Sequence, residues 1–387
     1  MKIMFVINSL GAGGAERSLS ELLPYLERGG VRPSVVCLRH AGEGVETASV
    51  DQGAEIRFLS RSGWMSRARA LRSLVSRDRP DLVHTTIFEA DVVGRVACIN
   101  TSVPVMTSLV NTSYDPVRLQ DPNVRAWKLQ AVRQVDGLTA RRYTTHFHAI
   151  SQAVKGSAVR DLRIDPDRIS VIERGRDPER LGRPSVRRRA QARAALGVGQ
   201  DDLVLTMVGR QEFQKGQWIL LESVTSLLPT EPDLRLLVAG RSGNASPRLR
   251  TAMDSTSLNG QVRFLGHRED VPEILAASDV FVFPSLYEGL GGALIEAMAL
   301  GLPIVASDLP AIREVIEPDG NALLVPPGSP RDLSAALTAL IEDEGRRKAM
   351  GMRSREIFLE RFTLERSAAR MLELFRRVAA EGRHRAA

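Results

Sequence analysis

Cysteine is almost missing from this chain: Cys37 and Cys98 are the only two in 387 residues. Both stand in apolar segments without metal-ligand spacing. That excludes a disulfide framework or a zinc finger and predicts two buried thiols in a reducing compartment. Long hydrophobic runs are lacking too, and no apolar stretch reaches the roughly 18–20 residues of a membrane span. The first such stretch, Ile3–Ile7, runs straight into a glycine loop and reads as a core strand, not a signal peptide. The cytoplasm is therefore the expected location. Lysine is scarce, five of 53 basic residues, and aromatics make up only 5%. With no zinc pattern, recognition helix or aromatic RNA-binding strand, the basic composition does not read as nucleic-acid binding.

What the chain does have is length and alternation. A chain of 387 residues with 43% hydrophobic content suits two doubly wound domains better than one. Strand-like runs at 2–7, 34–38, 55–59, 81–84, 104–109, 146–150 and 169–172 alternate with helical stretches such as 14–28 and 66–77. The plan restarts with strands at 203–208, 234–239, 262–265, 280–283, 304–306 and 323–325. Alternation of this kind predicts α/β parallel sheets covered on both faces, with ligands beyond the carboxyl ends of the strands. The polar, proline-broken run beginning at Arg183 reads as a linker. We expect a first domain over 1–182, a linker region over 183–200, a second domain over 201–362 and a terminal helix over 363–387.

The stretch Tyr287-Glu288-Gly289-Leu290-Gly291-Gly292-Ala293-Leu294-Ile295-Glu296 carries the chemistry. It follows the strand Val280–Phe283 and opens a helix near Gly292 that Gly301 and Pro303 stop. The glycines permit close backbone approach, and a helix start offers unpaired N–H groups to an anion. A carboxylate on either side of that anion site suits a phosphate flanked by two sugars.

This segment resembles the E-x7-E signature of the retaining glycosyltransferase family 4, in the two-domain GT-B superfamily. Gly209-Arg210-Gln211-Glu212-Phe213-Gln214-Lys215-Gly216 is similar to that family's G-R-x4-K-G donor loop, and Gly13-Gly14-Ala15-Glu16 to its N-terminal glycine loop. Val171-Ile172-Glu173-Arg174-Gly175-Arg176-Asp177 resembles the motif before its interdomain linker, with Arg174 where Asn is common. Ser307-Asp308, Glu314-Val315, Asp319-Gly320-Asn321 and Leu324-Val325-Pro326-Pro327 continue the pattern in the family's order.

The resemblance implies two Rossmann-like domains facing across a cleft. The first would bind the acceptor and the second the nucleotide sugar, with the terminal helix crossing back to the first. It implies transfer from a nucleotide-diphosphate sugar, UDP first and GDP next, to a hydroxyl acceptor with retention of configuration. A leaving diphosphate gathers negative charge as its bond to the sugar stretches. Arg210, Lys215 and the helix start at Gly292, Ala293 and Leu294 could neutralise that charge without a divalent metal. Glu296 is then expected on the ribose hydroxyls and Glu288 on the transferred sugar. Backbone N–H groups near Gly289, Leu290, Gly291 and Gly292 would assist, with Gly13, Gly14 and Gly209 lining the donor. No cofactor or metal is expected.

One departure concerns a histidine that many relatives carry after the fifth strand. Val110 stands at its place here, so His84 or the adjacent Asn111 becomes the candidate substitute, with Glu16 as a further acceptor-side residue. The acceptor itself depends on loops around 9–16, 60–66, 84–89 and 110–123. A GT-B epimerase or phosphorylase, and a non-catalytic sugar-nucleotide binder, stand as alternatives. A dehydrogenase does not fit, because Glu16 breaks the third glycine position and Leu38-Arg39-His40 offers no acidic residue after the second strand. Asp165-Pro166-Asp167 looks like a D-x-D metal site but reads as turn chemistry. His146 and His148 share a strand face and read as core.

Residues 1–185 hold 27 Lys and Arg against 20 Asp and Glu, and so carry the whole net charge of +7. Within them Arg57, Arg61, Arg67, Arg69, Arg72, Arg77 and Arg79 surround Trp64 and Met65. Such a helix either packs on its own sheet or touches an anionic membrane surface through 57–79.

Overall fold

The computed structural model describes residues 1–11, 13–40, 55–59, 63–254 and 260–386. The first half contributes β1 (Lys2–Ile7), β2 (Arg32–Cys37), β3 (Glu55–Phe58), β4 (Leu82–Thr86), β5 (Val105–Leu109), β6 (His146–Ala149) and β7 (Ile169–Val171). Its helices are α1 (Gly14–Arg28), α2 (Trp64–Asp78), α3 (Phe88–Ala97), α4 (Ala126–Tyr143) and α5 (Gln152–Leu162). The second half contributes β8 (Leu203–Val208), β9 (Leu234–Ala239), β10 (Val262–Gly266), β11 (Val280–Phe283), β12 (Ile304–Ser307) and β13 (Ala322–Val325). Between and after them run α6 (Pro178–Leu181), α7 (Val186–Leu196), α8 (Gln217–Thr225), α9 (Ser246–Asp254), α10 (Val271–Ala276), α11 (Gly292–Ala299) and α12 (Pro310–Arg313). The chain closes with α13 (Pro330–Ile341), α14 (Glu344–Arg361) and α15 (Leu364–Ala386).

The strands form two parallel sheets, ordered β3-β2-β1-β4-β5-β6-β7 and β10-β9-β8-β11-β12-β13. Each expected strand is present. Parallel strands are covered on both faces, so they are written as unbroken apolar runs, and Val280, Phe281, Val282 and Phe283 are all fully buried.

Contacts divide the chain into two compact units: 1–115, 124–176 and 364 onward in the first, 116–123 and 177–363 in the second. In the first unit α15 lays Met371, Leu374, Phe375 and Val378 against Phe5, Leu23 and Leu26. The α2 helix buries Ala68, Leu71 and Val75 against the same sheet's Val36, Leu38 and Val83.

Two segments differ from the sequence reading. Residues 183–200 do not form a polar linker; they hold α7, which packs in the second unit. The reason is Arg193, whose fully buried guanidinium donates to the carbonyls of Ala277, Gly199, Gln200 and Asp202 and pairs with Asp279 at 2.7 Å. An arginine satisfied in this way behaves as core. The segment Pro116–Asn123, expected among the acceptor loops, also belongs to the second unit. Val117 packs on that unit's core, and Asp121 accepts from Asn244 Nδ2 at 2.8 Å. Of the residues singled out above, position 12, positions 60–62 with Arg61, and position 387 lie outside the described residues.

Candidate functional site

In the second unit the singled-out loops leave the carboxyl ends of β8 and β11. Gly209 and Arg210 follow β8, and a 3-10 turn over Phe213–Lys215 brings the chain back toward α8. The side-chain amide of Gln217 braces the loop by donating to the carbonyls of Gly209 at 3.2 Å and Arg210 at 2.7 Å. Gly240 presses on it so closely that a Cβ would stand 1.9 Å from the Gly209 oxygen, so only glycine fits. Arg210 points outward, half exposed, and reaches Glu212 at 3.4 Å.

Lys215 turns inward. Its Nζ lies 5.1 Å from the centre of the Phe283 ring and pairs with Glu288 Oε1. Ser285 Oγ donates to the same oxygen at 2.9 Å. Gln214 donates to the Tyr287 carbonyl at 2.9 Å and Leu286 N–H donates back to the Gln214 carbonyl at 2.8 Å, lacing the two loops together. Glu288 is only 7% exposed, and a carboxylate buried that far is tolerated when it is paired and hydrogen-bonded. Beyond it, Gly289 and Leu290 are buried. Gly291 turns at φ +91°, a conformation that favours glycine, and opens α11 without a side-chain cap. The first N–H groups of α11, at Gly292, Ala293 and Leu294, therefore have no side-chain cap from Gly291. Glu296 follows in the next turn, 3% exposed.

Gly13, Gly14, Glu16, His84 and Asn111 belong to the first unit, and the structure does not gather them into one pocket. Glu16 folds its carboxylate back over Gly13, where a Cβ would meet Oε2 at 2.2 Å. Arg174 donates to the Gly14 carbonyl at 3.2 Å. His84 is buried and hydrogen-bonded through Nε2 to Ser108 Oγ at 2.9 Å; Ser108 in turn meets His148 Nδ1 at 2.8 Å. Asn111 faces a different cavity, at the end of β5, together with Val110, Asp91 and Asp136. Its side-chain oxygen accepts from Thr112 N–H at 2.9 Å. His146 is a core residue that meets Ser170 at 2.9 Å. Asp165 caps a 3-10 turn by accepting from Asp167 N–H at 3.0 Å.

Two family profiles cover most of the chain. One described as Glycosyl transferases group 1 matches residues 188–357, and one described as Glycosyltransferase Family 4 matches residues 12–180. The chain belongs to glycosyltransferase family 4.

Among curated members, a UDP-Gal:alpha-D-GlcNAc-diphosphoundecaprenol alpha-1,3-galactosyltransferase of Escherichia coli is 26% identical over 70% of this chain and 68% of its own length. A D-inositol 3-phosphate glycosyltransferase of Corynebacterium kroppenstedtii is 31% identical over 60% of this chain and about half, 53%, of its own length. Anabaena HepE in complex with UDP-glucose superposes with a TM-score of 0.86 at 23% identity, over 97% of this chain and 99% of that one. Sucrose-phosphate synthase from Thermosynechococcus elongatus gives 0.83 at 20% identity, over 98% and 100%. At these identities the likeness is one of fold, and the fold is GT-B.

In this glycosyltransferase the sequence reading passed over a buried polar cluster in the first unit. Arg95, fully buried in α3, pairs with Asp136 Oδ1 at 2.7 Å, and Tyr114 donates to Asp136 Oδ2 at 2.8 Å. Burial pushes the Asp91 carboxyl up to about 6 against the pull of Arg95, and its Oδ1 has no protein partner. Ile87, where β4 hands over to α3, holds φ +78°, strained for a β-branched residue. The available signal was charged residues inside the apolar run Ala90–Ala97. Ser285, Gln214 and Gln217 were also missed, because each acts through a loop distant in sequence.

Proposed function

We propose that this chain is a retaining glycosyltransferase that moves a sugar from a nucleotide-diphosphate donor to a hydroxyl acceptor without a metal ion. A UDP-sugar is the first expectation and a GDP-sugar the next. The observation that carries the reading is the cluster in the second unit: Lys215, Glu288 and Ser285 bonded together beside the uncapped start of α11, with Arg210 on the adjoining loop. Those groups match a diphosphate sugar in kind. The guanidinium fork of Arg210 and the point charge of Lys215 suit two phosphates, and both oppose the charge that grows on the leaving group. Glu296 takes the ribose hydroxyls and Glu288 the transferred sugar. The acceptor hydroxyl attacks the face from which the diphosphate departs; its proton goes to the leaving phosphate oxygen as the new glycosidic bond replaces the old one. The names of relatives that use UDP-Gal or were solved with UDP-glucose support the choice of nucleotide.

A thermal-shift panel of UDP, GDP, ADP and TDP sugars tests the donor assignment. Incubating the stabilising donor alone separates the alternatives: an epimerase alters the sugar, a binder leaves it unchanged, and a transferase turns over once acceptor is added.

The proposal includes a cytoplasmic setting with peripheral contact to anionic lipid through 57–79. No helix among the described residues is long and apolar enough to cross a membrane. Trp64 and Met65 are 42% and 58% exposed, with Arg69, Arg72, Arg77 and Arg79 exposed beside them. Arg57 and Arg77 are engaged by Asp78, and Arg67 by Glu89.

A further inference from the structure

We propose that Asp121 and Asn244 are positioning residues of the donor loop. Together they fix the turn that carries Lys215, and so set the preference of the site for a nucleoside diphosphate over a monophosphate. The inference rests on the transferase reading above and adds two residues outside the motifs read from the sequence.

Lys215 ends the 3-10 turn Phe213–Lys215, and a turn of this kind leaves its first N–H groups without an internal partner. Glu212, at the cap position, offers no side-chain bond. The partner comes from another loop: Asn244 Oδ1 accepts from Phe213 N–H at 2.8 Å. The other end of the same amide, Nδ2, donates to Asp121 Oδ2 at 2.8 Å. Asp121 is buried, and its Oδ1 accepts from the backbone and side-chain nitrogens of Asn123 at 2.9 Å each. It stands 123 positions from Asn244, in the segment Pro116–Asn123 that belongs to the second unit. Val117 of that segment packs on the same core as Phe213 and Tyr287.

Every step of this relay has a fixed direction. A backbone N–H only donates, so the amide atom facing Phe213 is the oxygen. The amide nitrogen then faces Asp121, whose carboxylate accepts, and that bond is charge-assisted. The rest of the loop is held by other groups. Gln211 accepts from Ala245 N–H at 2.8 Å and from Ser246 Oγ at 2.6 Å, and Gln214 and Gln217 hold the far side. The relay acts between them, two residues before Lys215. Its loss frees the turn that aims the lysine and removes no apolar side chain from the core. A nucleoside monophosphate has no second phosphate for Lys215 to meet. Displacing the lysine therefore weakens the diphosphate and spares the monophosphate.

Calorimetry with the nucleoside diphosphate of the donor that the panel selects, and with the matching monophosphate, tests this. Asn244→Ala removes both bonds of the amide, and because Asn244 is exposed the variant should fold. Asn244→Asp sets two carboxylates against each other. Each should lower the ratio of diphosphate to monophosphate affinity at least about tenfold, with monophosphate affinity unchanged. Combining Asp121→Asn with Asn244→Asp restores a donor at 121 and two acceptors at 244, and should return the ratio to that of wild type. A ratio unmoved by Asn244→Ala, equal losses for both nucleotides, or a double variant no better than Asn244→Asp would overturn the assignment. Failure of wild type to bind either nucleotide is a separate result, and it removes the donor reading.

Discussion

Lys215 and Glu288 hold each other: the lysine Nζ contacts Glu288 Oε1, and Ser285 Oγ donates to the same oxygen at 2.9 Å. The residue proposed to face the leaving phosphate and the one proposed to face the sugar are thus directly coupled. Changing either alters the charge felt by the other, so their effects on catalysis will not add.

Lys215→Ala should therefore cost stability as well as rate. It leaves a carboxylate that is 7% exposed with, among the described residues, only Ser285 hydrogen-bonded to it. Because Lys215 is itself partly exposed, the cost should be about 1–3 kcal/mol, less than for a fully buried pair. Glu288→Gln, which keeps an acceptor for Ser285, should lose less. Urea unfolding beside kcat for each variant measures both effects. A Lys215→Ala protein as stable as wild type with kcat unchanged would remove the lysine from the mechanism.

Glu296→Gln should weaken nucleotide binding and leave the fold in place. The amide keeps the shape but loses the proposed charge-assisted acceptance from two ribose hydroxyls, worth roughly 1.5–3 kcal/mol. Affinity should fall by about one to two decades by calorimetry. Unchanged affinity would show that the ribose lies elsewhere.

Turnover should persist in excess EDTA. Arg210, Lys215 and the start of α11 supply the positive field in this mechanism, and Asp165 is committed to a turn. Complete loss of activity on chelation, restored by Mg²⁺ or Mn²⁺, would replace this mechanism with a metal-assisted one.

Acid should destabilise the first unit. Burial pulls His84 down to about 3 and His148 down to about 4, whereas the unfolded chain takes up these protons near the ordinary histidine value of about 6.5. The unfolded state thus binds more protons between those limits. Stability should be fully present above about pH 6.5 and fall as pH drops toward 4, by up to about 1.4 kcal/mol per unit for each histidine. Asp91, pushed up to about 6, works in the opposite sense over its own window, from its ordinary value near 4 up to 6. His148→Gln should flatten the Tm profile between pH 4 and 6.5. An equally steep profile in that variant would assign the acid lability to other groups.

Binding to anionic vesicles should be present at low salt and fade as salt is raised. Arg69, Arg72 and Arg79 are exposed along α2 and at its C-terminal end and should each contribute about 1 kcal/mol. Removing them should abolish co-sedimentation, whereas replacing the ion-paired Arg57 should not. No sedimentation of wild type at low salt would leave α2 as a helix that serves only its own sheet.

The sequence by itself determined the two sheets and the loops proposed to carry the chemistry. Parallel strands must be apolar on both faces, so Val280–Phe283 and Leu203–Val208 announce themselves without any knowledge of their neighbours. A glycine loop followed by a helix is a local event as well, which made Gly209–Gly216 and Gly289–Glu296 readable. What only the tertiary structure decided are pairings between distant residues. Lys215 meets Glu288, 73 positions away; Arg95 meets Asp136, 41 away; Arg193 meets Asp279, 86 away. Each is a charge whose cost depends on what surrounds it, and composition assigns such residues to solvent. The same reasoning made α7 look like a linker and Pro116–Asn123 look like part of the first half. Hydrophobic pattern is a property of a segment, but the compensation of a buried charge exists only once the chain has folded around it.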